Sequence, residues 1–308
     1  MSVSRASLGR SPAIVQYNGG TFFTREDFAV RHAPIWKPAL ASMYGEVDRL
    51  KRDLMIRIPL RLWGAWASLP ILFPPAILNP VIGSSLFGST DVPLTLLGRN
   101  GDQITYANAQ VTKLAELFLG ADSELFAADL EFTALLANGA NPEAAGAYYT
   151  VQTGQPYADG AFSKADYKRV RWTGAWGGRA GFTAIVPQQG FHVTWALELK
   201  PLTVDGHGTV DMTLAGFVGG CRCIPLGATL AQIESQAAAQ GSPFGTLLSA
   251  NAADLTLAGG GSSVVLKNAG LAEHGYAFGV VPLRTGEVAW NTTRGFAAGA
   301  PAAVATVG

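Results

Sequence analysis

Charge is scarce in this chain. Lys, Arg, Asp and Glu make up 14 % of its 308 residues, and 22 basic against 22 acidic side chains leave no net charge at pH 7. A zero balance gives no general attraction to nucleic acid or to an anionic membrane. A surface so poor in charge and so rich in apolar residues and glycine is weakly protected against association, which points to faces covered by partner chains. Cysteine is nearly absent as well. Cys221 and Cys223 stand two apart, too close along one strand for ordinary disulfide geometry and with no further metal ligands nearby. They are expected to be reduced structural residues of a protein made inside a cell. No apolar run follows the basic residues of segment 1–13, so no secretory signal is expected. The most apolar stretch, 60–81, is broken by Arg61, Pro70, Pro74, Pro75 and Pro80 and cannot supply the roughly 20 helical residues that a bilayer requires.

Catalytic signatures are missing too. His32, His192, His207 and His274 stand in no metal-binding spacing, and the glycine clusters 216–220 and 259–263 lack the lysine and following helix of a phosphate loop. Neither a nucleophile elbow nor a dinucleotide fingerprint is present. Three acidic pairs are possible: Glu26 with Asp27, Asp122 with Glu124, and Glu198 with Asp211. Only the last pair is placed to face across a hairpin, where nearby Lys200 makes a surface ion pair the simpler role. Lys164, Lys168, Arg169 and Arg171, interleaved with Tyr167 and Trp172, form a single basic cluster in a neutral chain, which is weak ground for nucleic-acid binding. No enzyme, no cofactor and no metal site is expected.

What the sequence does carry is alternation. In 51–63, Leu54, Ile56, Ile58, Leu60 and Leu62 take one face, with Arg57, Pro59, Arg61 and Trp63 on the other, the period of a half-buried strand. Pro59 lacks an amide donor, so it places this strand at an edge, at a bulge or where pairing ends. Asn100-Gly101 predicts a hairpin between 94–97 and 103–106. Segment 125–136 predicts a strand, 111–119 fits helix and strand equally, and 69–80 reads as irregular connection. Segments 191–204 and 209–220 predict a long hairpin, with His192, Thr194 and Glu198 outward on one arm and Asp211 and Thr213 outward on the other. Residues 229–239 predict a helix capped by Thr229, with Leu230, Ile233 and Ala237 on one face.

The segment 94–132 returns in weaker form at 255–290. Leu94-Thr95-Leu96 matches Leu255-Thr256-Leu257, Gly98 matches Gly259, Asn108-Ala109 matches Asn268-Ala269 and Phe118 matches Phe278. Phe87-Gly88 and Phe244-Gly245 give a looser match upstream, and the region 33–63 holds the place that the 191–220 hairpin holds later. A repeat on this scale predicts a mainly β chain of two related antiparallel β-sandwich or half-barrel domains, each with a short flanking helix. The expected boundaries are an arm over 1–20, a first domain over 21–150, a linker over 151–180 and a second domain over 181–308.

Phe87-Gly88, Pro93-Leu94, the hairpin that follows, Asn108-Ala109 and the run Leu130-Glu131-Phe132-Thr133-Ala134-Leu135 together resemble the tail tube proteins of bacterial viruses, best over 51–149. The resemblance implies a structural virion protein with β-sandwich domains. In its duplicated form three chains make a pseudo-sixfold ring, and stacked rings enclose a channel that DNA crosses without specific binding. It further implies contact with other tail proteins, assembly in the host cytoplasm and a place in the virion tail. By the same analogy Arg57, Arg61, His192, Thr194, Glu198, Asp211 and Thr213 are candidates for channel-lining or intersubunit positions. The lumen implied is acidic, whereas the first candidate strand carries Arg57 and Arg61. Another virion component (capsid, baseplate or tail terminator) and a carbohydrate- or cell-surface-binding β-sandwich are the alternatives. The binding module would require Trp36, Trp63, Trp66, Trp172 or Trp176 exposed in a groove.

Overall fold

The computed structural model describes residues 11–41, 45–120, 123–157, 169–226, 228–239, 247–277, 284–293 and 305–308. The chain is mainly β, with one large antiparallel sheet, two two-stranded sheets and few short helices. Its first part contains β1 (Ala13–Tyr17), β2 (Gly20–Thr24), β3 (Ile35–Ala41), β4 (Gly45–Asp53) and β5 (Ile56–Gly64). After a 3-10 turn at Trp66–Leu72 and the single-turn helix α1 (Pro75–Leu78) come β6 (Leu94–Gly98), β7 (Gln103–Tyr106), β8 (Asn108–Leu119), β9 (Phe126–Leu135) and β10 (Tyr149–Gln152). The later part contains β11 (Thr173–Trp176), β12 (Val186–Pro187), β13 (Phe191–Val204), β14 (Gly208–Cys223), β15 (Pro225–Leu226) and helix α2 (Leu230–Ala239). It ends with β16 (Ala253–Gly259), β17 (Ser262–Ala277), β18 (Arg284–Thr292) and β19 (Ala305–Val307). Strand β1 lies within 1–20, the expected arm, and β11 within 151–180, the expected linker.

Alternation fixes the strands that matter most. Ile56, Ile58, Leu60 and Leu62 of β5 are all at most 2 % exposed while Arg57, Pro59 and Arg61 face out. The β9 ladder runs without interruption from Ile56 to Gly64, but β2 reaches only Leu62 on the other side, so Pro59 sits where β5 has lost that neighbour. Asn100-Gly101 closes the β6–β7 hairpin, with Gly101 at φ 82, a left-handed conformation that glycine adopts without strain. Helix α2 begins with a reciprocal cap: the Gln232 amide donates to Thr229 Oγ1 at 3.3 Å and the Thr229 amide donates to Gln232 Oε1 at 2.9 Å.

The large sheet runs β10-β7-β6-β1-β2-β5-β9-β8-β13-β14-β18-β17-β16-β11, with β19 added on β17. Every strand before β8 in this order comes from the first half of the chain and every strand after it from the second. The halves therefore join at one ladder, where Phe191, Val193, Trp195 and Ala196 of β13 face Leu119, Leu117, Leu114 and Lys113 of β8. One hydrophobic cluster spans the joint, and Trp66 packs on Trp172 with ring centroids 5.4 Å apart. Each such buried side chain contributes on the order of 1.5–3 kcal/mol relative to exposure.

The ladder registers of the two halves coincide. Leu94↔Tyr106 in β6–β7 corresponds to Leu255↔Leu266 in β16–β17, and Val151↔Ile104 in β10–β7 corresponds to Val307↔Val264 in β19–β17. β8 is bulged against β9 after Val111 and after Leu114, and β17 is bulged against β18 after Leu271 and after His274. The β3–β4 hairpin turns at Ala41↔Gly45 with shifts after Ile35 and Ala39, and the β13–β14 hairpin turns at Val204↔Gly208 with shifts after Glu198 and Leu202. A single strand, β17, does what β7 and β8 do in two. Asn268, at φ 48, directly precedes Ala269, the residue at which pairing passes from β16 to β18.

Candidate assembly face

Sheet pairing assembles charges that are far apart in the chain. Arg61 on β5 lies directly opposite Asp129 on β9, which lies opposite Glu116 on β8, and His192 on β13 lies opposite Arg222 on β14. Their side chains gather into two charged clusters side by side across five strands, one around Asp129 and one around Glu116. Arg61 Nη1 donates to Glu26 Oε1 and Oε2 at 3.0 and 3.1 Å, and its Nε stands 3.3 Å from Asp129 Oδ2. Arg25 Nη1 donates to the other oxygen of Asp129 at 2.9 Å. Beyond the joint between the halves, His192 Nδ1 meets Glu116 Oε1, and Arg222 links Glu116 at 3.7 Å to Glu287 at 3.5 Å.

Two carboxylates, Asp129 and Glu116, face each other between these clusters, which by itself is unfavourable. Burial pushes the Asp129 carboxyl up, and the Arg25 and Arg61 guanidinium groups oppose that shift while Glu116 and Glu26 add to it; the net direction is upward. A groove of about 430 Å³ opens beside the Asp129 cluster, lined by Glu26, Phe28, Pro59, Lys113, Asp129 and Glu131 among others. Within each cluster the opposite charges are paired across strands. They present no continuous cationic stripe on which phosphates would lodge.

The seven residues singled out by sequence do not form one site. Arg61 belongs to the Asp129 cluster and His192 to the Glu116 cluster. Arg57 is exposed farther along β5, opposite Thr133 and bridged to Arg31. Thr194 is half-buried opposite Gly220, and Glu198 lies opposite Gly216, where an added Cβ would stand 2.7 Å from its Oε2. Glu198 and Asp211 do not face each other. The Val204↔Gly208 turn and the bulge after Leu202 set the register, so Asp211 pairs with Leu202. Asp211 instead accepts from the Phe87 amide at 3.2 Å and the Met212 amide at 2.6 Å. Thr213 donates to the Lys200 carbonyl at 3.3 Å and bridges to Ser85. Both residues therefore dock segment 83–87 on β14, where Leu86 and Phe87 pack on Met212 and Leu214.

Sequence reasoning missed Asp129, Glu116, Arg222 and Glu287 as members of the clusters. Of the basic cluster, Lys164, Tyr167 and Lys168 lie outside the described residues, as does Asp122. Arg169 is exposed and stands 4.0 Å from Glu124, Arg171 is exposed, and Trp172 is fully buried. Trp66 and Trp176 are buried too, and of the tryptophans named for a binding groove only Trp36, at 52 %, is strongly exposed. Cys221 and Cys223 are free and buried. Among the described residues no group of three His, Cys, Asp or Glu side chains is placed to hold a metal ion, and no helix is long and apolar enough to cross a membrane. No protein-family model matches the chain, and no curated protein matches it.

Proposed function

We propose that this chain is a non-enzymatic structural subunit that polymerises with itself, and specifically a tail tube protein of a bacterial virus in duplicated-domain form. Three chains make a pseudo-sixfold ring, rings stack into a tube in the virion tail, and DNA crosses the channel without being held. The observation that carries this reading is the coincidence of ladder registers and bulges between the halves. Bulges are placed one by one, so four matched shifts in two different ladders argue for two copies of one β domain fused in a chain. The copies meet through strand pairing at β8–β13, a joint that repeats readily between chains.

Electrostatics supports the same conclusion. Arg61, a cation on a strand proposed to line a channel that must release DNA, is neutralised by Glu26 and Asp129. Burial of Trp66, Trp172 and Trp176 weighs against a carbohydrate-binding groove. Negative-stain microscopy of the purified chain over a range of concentrations tests the proposal. Stacked rings or hollow tubes are expected, and a dispersed monomer under all conditions would move the assignment to a minor virion component.

A further inference from the structure

The joint between the two halves has a counterpart at which only one partner is present. Matching bulges make Lys113, Leu114 and Leu117 of β8 equivalent to Glu273, His274 and Ala277 of β17. On the other side of the joint, the hairpin match makes Val193, Trp195 and Ala196 equivalent to Val30, His32 and Ala33. A second route gives the same alignment. Gly220 faces Thr194 and precedes Cys221, which pairs with Trp290; Arg57 bridges Arg31 and precedes Ile58, which pairs with Phe132. Within the chain β8 and β13 pair, but among the described residues no strand lies on the edge of β17 opposite β18 along 271–277. Among the described residues segment 28–33 likewise has a strand on one side only, at the Arg31 bridge, while the His32 side chain contacts Tyr106 and Tyr149.

Burial records the difference. Phe191 and Val193 are 0 % exposed at the joint, whereas their equivalents Phe28 and Val30 are only half-buried. Just beyond them Ile35 and Trp36 are 54 % and 52 % exposed. Charge is also complementary: Arg31 and Arg57 face each other as a like-charged pair, while Glu273 is exposed on the unpaired edge. An acidic side chain brought diagonally beside Arg31 relieves that repulsion.

We propose that the open edge of β17 pairs antiparallel with residues 30–33 of a second copy of this chain, Glu273 facing Ala33, His274 facing His32 and Ala277 facing Val30. The two surfaces differ, so the contact is head-to-tail and each chain uses both, which closes a ring where the rotation permits. The inference rests on the proposed duplicated, self-assembling subunit and adds the register of the interchain contact.

Directly opposed strand positions bring Cβ atoms within reach of a disulfide. Full-length chains carrying A33C or E273C are therefore co-expressed, oxidised, and run without reductant beside each variant alone and beside the A33C/E273C double variant. Expected are linked dimers from the co-expressed pair, a ladder of higher multimers from the double variant, and monomers from either single variant. If the wild-type chain assembles by sedimentation but the pair does not link, this edge is refuted while self-assembly stands. Linking of a single variant with itself would mean a two-fold contact and refute the register. Monomeric wild-type protein at every concentration would refute the assembly proposal and this contact together. As a check that does not depend on thiols, E273K is expected to lower the assembled fraction and R31E/E273K to restore it; no loss with E273K contradicts the contact.

Discussion

Substituting Gly190 by Ala strikes the joint between the halves where the chain enters β13. Gly190 has φ +117, and a Cβ there would lie 2.7 Å from the Leu119 carbonyl oxygen, 2.9 Å from Phe118 Cε2 and 3.1 Å from Gly120 Cα. A backbone oxygen at the end of β8 cannot swing aside as a side-chain tip can. The unfavourable backbone conformation costs about 1–3 kcal/mol, and forced overpacking about as much again. Lower entropy of the unfolded Ala chain returns roughly 0.4–1 kcal/mol. Sterics win, and G190A is expected to lose about 2–5 kcal/mol in urea unfolding. Gly206 supplies the control: its φ is +78 but nothing lies within 4 Å of an added Cβ, so G206A carries the backbone cost alone. Hydrogen exchange should rise along β8 and β13 in G190A and stay unchanged there in G206A. Equal losses in the two variants would refute the claim that contact across the joint decides the outcome.

Trp176 Nε1 donates to the Ala269 carbonyl at 2.8 Å and its ring packs edge-on against Phe182 and Trp290, so Trp176→Phe should cost about 2–4 kcal/mol in urea unfolding, with a loss under 1 kcal/mol arguing against this packing. Burial pushes the Asp254 carboxyl up, but its hydrogen bonds from Lys267 at 2.8 Å and the Asn268 amide at 3.1 Å, with the Lys267 charge, outweigh that and leave it below the usual 3.8. A depressed carboxylate stabilises the fold above its unfolded pKa and loses that contribution as pH falls through the lower folded value. Urea midpoints measured below about pH 4 should therefore fall less steeply for Asp254→Asn than for wild type. Burial raises the Cys221 thiol and, with Glu287 adding to it, pushes Cys223 up to about 12, so a thiol reagent at mildly alkaline pH should label neither until the chain is unfolded. Rapid labelling of the folded chain would contradict their burial.

Elements governed by one uninterrupted period were legible in the sequence. Strand β5, the first part of β13 (191–196) and the Thr229 cap follow from alternation and capping chemistry alone. Strand β8 was not, because its bulges after Val111 and Leu114 reset the alternation: the buried Val111, Leu114 and Leu117 recur every third residue, which fits neither strand nor helix cleanly. In the β13–β14 hairpin the Val204↔Gly208 turn sets the register, which puts Asp211 opposite Leu202 and Glu198 opposite Gly216. Of the charged clusters, Arg61 and His192 could be placed as outward-facing residues. Their partners Asp129 and Glu116 become neighbours only through pairings between β5, β9, β8 and β13, which no local pattern encodes. Similarity between the halves is faint in letters such as Leu94-Thr95-Leu96 and Leu255-Thr256-Leu257 and fuller in the matching ladder registers and bulge positions.

The proposed duplication makes a prediction that an undivided subunit does not: the rotational order of an assembled ring should be twice its number of chains. Native mass measurement of isolated rings counts the chains, and end views by electron microscopy at modest resolution give the rotational order. Three chains with sixfold end views is the expected pair of results, whereas a rotational order equal to the chain count, or no ring at all, would contradict the account.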